Sequence, residues 1–229
     1  MGLELLRRLA ARNTIINLSR RAPPEGAVTA SHDFTHFSTD LGDAASVRTA
    51  VARIRSTSHC GIDGLINCAA VQFTPKFTDD AFDPASIRRE IAINLTSPIE
   101  LMAGLLQELQ KRPQSFVLNV NSGLGIVPKA ESAVYCTTKA ALDCFTRAMR
   151  AQLRGTNIRM QQVFLPLVDT PMTQGRGSGK LSSAYVAERI IHQIETGYPD
   201  LDIGKVKLLR AIDRFMPPLA RRIMQKGDA

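Results

Sequence analysis

Tyr135 and Lys139 stand four residues apart in Tyr135-Cys136-Thr137-Thr138-Lys139, and Ser122 lies thirteen residues upstream of the tyrosine, just beyond the apolar run Ser115 to Val120. Positions i and i+4 of a helix share a face one turn apart, so the lysine ammonium can reach toward the phenol. A phenol titrates near ~10, and bringing it to ~7 requires preferential stabilisation of the phenolate by roughly 4 kcal/mol. A neighbouring cation supplies part of that. The same Tyr-x-x-x-Lys spacing also occurs on ordinary amphipathic helices, where a lysine lays its stem along apolar surface and keeps its head in water. Further matches in chain order distinguish the two readings.

The elements that would carry these groups alternate between helical and strand patterns, as expected of a parallel α/β sheet. A helix over Gly2 to Ala11 leads to a strand over Thr14 to Ser19. A short strand around Phe34 to Thr39 precedes a helix near Ala44 to Arg55, and a strand over Gly64 to Asn67 follows. Asp83-Pro84 then starts a long helix, aspartate as cap and proline in the first turn, that can run to about Lys111. Strand Ser115 to Val120 ends at Ser122. The Tyr135 helix continues to about Arg154 with Val134, Ala141, Leu142, Phe145, Met149 and Leu153 on a 3.6-residue period. Strand Ile158 to Leu165, a glycine-rich loop over Gln174 to Lys180 and a helix over Ser183 to Thr196 complete the pattern. All 229 residues read as one domain with one core. Ser122, the Asn67 turn and the Pro166 to Thr170 turn fall at carboxyl ends of strands, where the ligand crevice of a doubly wound sheet opens.

The constellation resembles the short-chain dehydrogenase/reductase family over nearly the whole chain. The resemblance implies that Tyr135 is the general acid/base, that Ser122 holds the substrate oxygen, and that Lys139 lowers the tyrosine pKa and holds the nicotinamide ribose. Asn94, in Ile91-Ala92-Ile93-Asn94-Leu95, would anchor a water continuing the proton relay. Asn67-Cys68-Ala69-Ala70 is similar to the family's Asn-Asn-Ala-Gly turn, with Asn67 holding the sheet together and Ala69 near the adenine ribose. Asp40-Leu41 resembles the pair at the adenine edge. Leu165 to Thr170 is similar to the Pro-Gly-x-Val-x-Thr segment beside the nicotinamide; Val168 and Thr170 match, Leu165 and Pro166 depart. Ser19-Arg20-Arg21 closes a strand where NAD enzymes of this fold carry an acidic residue, whereas an arginine can pair with the extra phosphate of NADP. NADP is expected, with Arg20 on the phosphate and Arg21 as a turn residue; NAD stays possible.

Family members open with a strand and a Thr-Gly-x-x-x-Gly-x-Gly turn whose N–H groups cradle the pyrophosphate. In this chain Gly2 corresponds to the last glycine, and the preceding strand and most of the loop are missing. The expected fold is therefore a Rossmann-like doubly wound parallel sheet without its first strand. Loss of that strand leaves unpaired backbone on the Thr14 and Gly64 strands and an apolar slot between them. A start codon placed late would explain this, with about ten to twenty further residues encoded in frame upstream. A scaffold completed by a partner is the other explanation. Two functions follow: an NADP-dependent oxidoreductase interconverting a carbonyl and an alcohol, or a non-catalytic interaction protein on the same scaffold.

Composition narrows the remaining classes. Cys60, Cys68, Cys136 and Cys144 lack Cys-x-x-Cys spacing, and His32, His36, His59 and His192 form no helical metal motif, so no metal site is expected. Charged residues bound every apolar stretch and the amino terminus is already an amphipathic helix, so neither a membrane span nor a signal peptide is read and a cytoplasmic location follows. Net charge is +8, concentrated in a tail where Lys205, Lys207, Arg210, Arg214, Arg221, Arg222 and Lys226 face Asp213 and Asp228. Aromatic interleaving is sparse, which argues against nucleic acid. The tail reads as a helix docking Leu208, Leu209, Ile212, Phe215 and Met216 on the domain, or as a basic segment lying on an anionic membrane. Loop Pro171 to Ser182 reads as a lid whose Arg176 and Lys180 would favour an anionic substrate group, or are simply solvated. The family resemblance implies a homodimer or homotetramer packed through the helices beginning near Asp83 and Glu131.

Overall fold

The computed structural model describes residues 1–28 and 33–225. His32, Lys226 and Asp228 lie outside the described residues.

Helix α1 (Gly2–Ala10) leads through Asn13 to strand β1 (Ile15–Ser19), which pairs in parallel with β2 (Phe34–Ser38). Helix α2 (Ala44–Thr57) follows, its first turn capped by Asp43, whose carboxylate accepts from the Ala45 and Ser46 N–H groups. Strand β3 (Gly64–Asn67) leads to a helix that starts as expected, with Asp83 accepting from Ala85 N–H and Pro84 in the first turn. That helix is not continuous. It divides into α3 (Pro84–Ile91), a π turn at Ala92–Thr96 and α4 (Ser97–Gln110). Strand β4 (Ser115–Ser122), helix α5 (Ala133–Gln152), strand β5 (Ile158–Leu165) and helix α6 (Ser183–Thr196) follow. Gly197 ends α6 in the left-handed conformation, at φ 75°, that only glycine adopts without strain. A three-residue strand β6 (Asp200–Asp202) and two helices, α7 (Val206–Phe215) and α8 (Pro217–Gln225), close the chain.

Strands β3, β4, β5 and β6 form one parallel sheet in that order, with β4 and β5 in register from Ser115 opposite Ile158 to Ser122 opposite Leu165. Both faces are covered. Val117 packs with Val47, Leu105 and Leu109 beneath α2 and α4. Its neighbour Leu118 points the other way, onto Leu5, Val186 and Ile190 of α1 and α6. Alternate residues of one apolar strand thus serve two helical layers, which is why the strand sequences are nearly continuous hydrophobic runs.

Strands β1 and β2 form a separate two-stranded parallel sheet, and among the described residues no ladder joins β1 to β3. A cavity of about 1820 Å³ takes residues Ile15 to Ser19 and Gly64 to Asn67 as walls. The apolar slot expected between these two strands is therefore present.

The tail departs from its expected packing. Val206 and Ala220 are buried and Leu209 and Ile212 half-buried, but Leu208, Phe215 and Met216 are exposed. Leu208 and Phe215 share the side of α7 away from Val206 and Leu209, and a break at Met216 then turns the chain into α8.

Candidate active site

The catalytic candidates meet at the carboxyl end of β4. Ser122 is the last residue of that strand, and its Oγ accepts from Leu124 N–H at 3.2 Å, which turns the chain into a short 3₁₀ segment. Gly125 lets α5 approach this turn: a Cβ there would stand 2.9 Å from the Lys139 carbonyl carbon. The close approach brings Tyr135 and Lys139 under the strand end, and Ser122 hydrogen-bonds the tyrosine side chain.

Burial dominates the electrostatics. Desolvation pushes the Tyr135 phenol up to about 12, the Ser122 hydrogen bond opposing it. Desolvation also lowers Lys139 to about 8; the side chain is 2% exposed and its Nζ donates to the Val120 carbonyl at 2.9 Å. The expectation that Lys139 lowers the tyrosine pKa is not met in this structure. Its ammonium lies 5.7 Å from the ring centroid and is engaged by the strand backbone, and it cannot offset the loss of water around the phenol.

Asn94 lies in the π turn and is fully buried. Its Oδ1 accepts from Val71 N–H, and its Nδ2 donates to the Val71 carbonyl, both at 2.8 Å, and to Thr138 Oγ1 at 3.3 Å. The side chain braces the segment after β3 against α5, so its polar atoms are committed to protein partners. Asn67 does what its turn implied: Nδ2 donates to Asn119 Oδ1 at 2.8 Å, tying β3 to β4.

The remaining candidates divide by position. Gly2, Ser19, Leu41, Asn67, Ala69, Val168 and Thr170 line the same cavity as Ser122, Tyr135 and Lys139. Asn94, Arg20 and Asp40 do not. Arg20 is exposed at the strand end, whereas Arg21, read as a turn residue, is on the cavity wall. Asp40 accepts from Gly42 N–H at 2.8 Å and pairs with Arg89 at 3.3 Å, and these two contacts hold its carboxyl below the usual range despite desolvation. It shapes the turn carrying Leu41 and does not face the cavity.

Two features escaped the sequence reading. Gln72 joins the loop after Pro171 to the start of α5, accepting from Arg176 Nη1 at 2.9 Å and donating to Ser132 Oγ at 2.7 Å. Glu90, 1% exposed, faces Phe73 N–H at 3.4 Å and raises the tyrosine pKa through its charge; burial lifts its own carboxyl to about 7. Its spacing of four from Asn94 was the available signal, since both lie on the helix face turned to the catalytic residues. Lys180 Nζ donates to the Thr173 carbonyl at 2.6 Å, closing the glycine-rich loop on itself. Among the described residues no cluster of His, Cys, Asp or Glu could hold a metal ion, and no helix is long and apolar enough to cross a membrane.

A doubly wound parallel sheet with serine, tyrosine and lysine converging at its strand ends is the layout of a short-chain dehydrogenase. The family model for short chain dehydrogenases matches residues 1–180, and this chain belongs to that family of oxidoreductases. It is 31% identical over 225 residues to the uncharacterized oxidoreductase DltE of Bacillus subtilis (strain 168), covering 93% of this chain and 88% of the relative. A short chain dehydrogenase of Burkholderia cenocepacia J2315, solved in complex with NADP, superposes with a TM-score of 0.84 at 20% identity over 97% of this chain and 92% of that one. One from Sphingobium yanoikuyae, solved with NADPH, gives 0.79 at 18% identity over 100% and 94%. At these identities the structural likeness establishes the fold.

Proposed function

We propose that the protein is an NADP-dependent oxidoreductase interconverting a carbonyl and an alcohol, with Ser122, Tyr135 and Lys139 as catalytic residues. The observation that carries this is their convergence on one cavity wall at the end of β4. The residues present fit a dinucleotide. The amino terminus of α1 opens into the cavity at Gly2, where the Leu3 and Gly2 N–H groups precede the first bonds of the helix, which Glu4 and Leu5 make to Met1. Ser19, Arg21, Leu41 and Ala69 would hold the adenosine end; Lys139, Val168 and Thr170 would hold the nicotinamide end. Bound coenzyme supplies the hydride.

Tyr135 Oη donates its proton to the substrate oxygen during reduction and recovers one in the reverse direction. Ser122 Oγ, fixed by the Leu124 N–H, donates a hydrogen bond to that oxygen as charge develops there. A high phenol pKa suits a group that must hold its proton until the alkoxide forms. Arg176, whose guanidinium stands near Tyr135 and bonds a neutral glutamine, would favour a substrate with an anionic group. Coenzyme preference is read by fluorescence titration with NADPH and NADH. Arg21→Ala should weaken NADPH binding about tenfold while sparing NADH, since one charge-assisted phosphate contact is lost, and Arg20→Ala should change neither. An NADPH loss confined to Arg20→Ala would return the phosphate to the residue outside the cavity.

A second reading rests on the open slot between β1 and β3: a scaffold in which a partner's strand completes the sheet, with Lys139 left on Val120 and the phenol inactive.

A further inference from the structure

Ten large hydrophobic side chains among the described residues are more than a third exposed, and five of them fall in the last two helices or at the joint between them: Leu208 at 63%, Phe215 at 78%, Met216 at 55%, Leu219 at 38% and Ile223 at 44%. Leu208 and Phe215, seven apart, share one side of α7, and Leu219 and Ile223, four apart, share one side of α8. Val206 and Ala220, both fully or nearly buried, anchor the other side, where Val206 packs on the turn after Ser122. The outward face is therefore the one the domain does not use.

Its charge says what covers it. Lys205, Lys207, Arg214, Arg221 and Arg222 are exposed, and Asp213 is the sole acidic residue from Ile203 to Gln225. Arg210 is neutralised by Asp202, with contacts of 2.6 and 2.8 Å. A second copy laid on this face would set like charges against each other, which disfavours self-association. An anionic bilayer answers both features, taking apolar side chains into its interface and cations onto its headgroups.

We propose that α7 and α8 form a docking surface for anionic lipid bilayers, with Phe215 and Met216 at the joint between the helices entering the interface and Lys207, Arg214, Arg221 and Arg222 meeting the headgroups. Leu209 and Met224 of the same two helices line the catalytic cavity, so docking would bring its rim against the membrane.

Cosedimentation with vesicles tests this. The protein should bind phosphatidylcholine–phosphatidylglycerol vesicles and not phosphatidylcholine alone. Arg221→Gln/Arg222→Gln should lower the partition coefficient on the order of tenfold. Arg48→Gln/Arg154→Gln, which removes the same charge from exposed positions elsewhere, should lower it far less. Phe215→Ser should weaken binding at unchanged net charge. Equal losses from the two arginine pairs would mean that overall basicity does the binding, and overturn the proposal. So would unchanged binding by Phe215→Ser, or light scattering in which Phe215→Ser converts an oligomer to a monomer, which would assign the face to a second copy.

Discussion

Lys139 donates from Nζ to the Val120 carbonyl at 2.9 Å, fastening the catalytic helix to β4 four residues after the tyrosine it was expected to activate. The contact explains how a lysine can be 2% exposed without an acidic partner. It also leaves the Tyr135 phenol governed by desolvation.

The first prediction is that Tyr135 remains protonated across the neutral range. Phenolate absorbance that disappears in Tyr135→Phe should emerge only as pH approaches about 12. The folded state holds the proton more tightly than the unfolded chain, so this group's contribution to stability is intact below ~10 and is lost as pH climbs through the folded value. A Tyr135-dependent phenolate signal near pH 7 would show that the lysine does activate the unliganded site.

Glu90 gives a second pH dependence in a different window. Burial raises its carboxyl from 4.5 to about 7, so the folded state keeps a proton that the unfolded chain releases. Its contribution is complete below pH 4.5 and is lost as pH rises through about 7. Denaturant titrations should show that Glu90→Gln flattens this decline and leaves the protein more stable than wild type at pH 8. Parallel stability profiles for the two proteins would place the charged carboxylate in an environment as favourable as water.

Much of this arrangement was legible in the sequence because its signals are local. The Asp83 cap, the apolar period after Tyr135 and the strand Ile158–Leu165 each need few residues to declare themselves, and each is where the pattern placed it. What stayed hidden depends on neighbours. The π turn at Ala92–Thr96 interrupts a helix whose hydrophobic period continues through it, and Asn94 is turned there toward Val71. Arg20 and Arg21 are adjacent, and which faces the cavity depends on the direction in which the chain leaves β1. A three-residue strand such as Asp200–Asp202 has too short a pattern to read. Phe215 and Leu208 have the residue types of a core, yet they share the side of α7 turned away from Val206 and Leu209.

The open edges of β1 and β3 make a third prediction. Each strand is paired on one side, so alternate amides in Ile15–Ser19 and Gly64–Asn67 point into the cavity without a ladder partner. Hydrogen exchange resolved by residue should show these amides exchanging much faster than those of β4, which is paired on both sides. Added extended apolar peptide that enters the slot should slow them. Uniform protection across β1, β3 and β4 without any addition would mean that the slot is closed in solution.

The central claim is that Tyr135 moves the proton in a carbonyl reduction, and the direct measurement is NADPH oxidation against a panel of aldehydes, ketones and quinones, by wild type and Tyr135→Phe. The wild type should reduce at least one member. Tyr135→Phe should lose about 10²–10⁴ in turnover on it, with NADPH binding and unfolding midpoint retained, because the substitution removes a proton-transferring hydroxyl and little else. Near-normal turnover by Tyr135→Phe on any substrate that the wild type reduces would contradict the account.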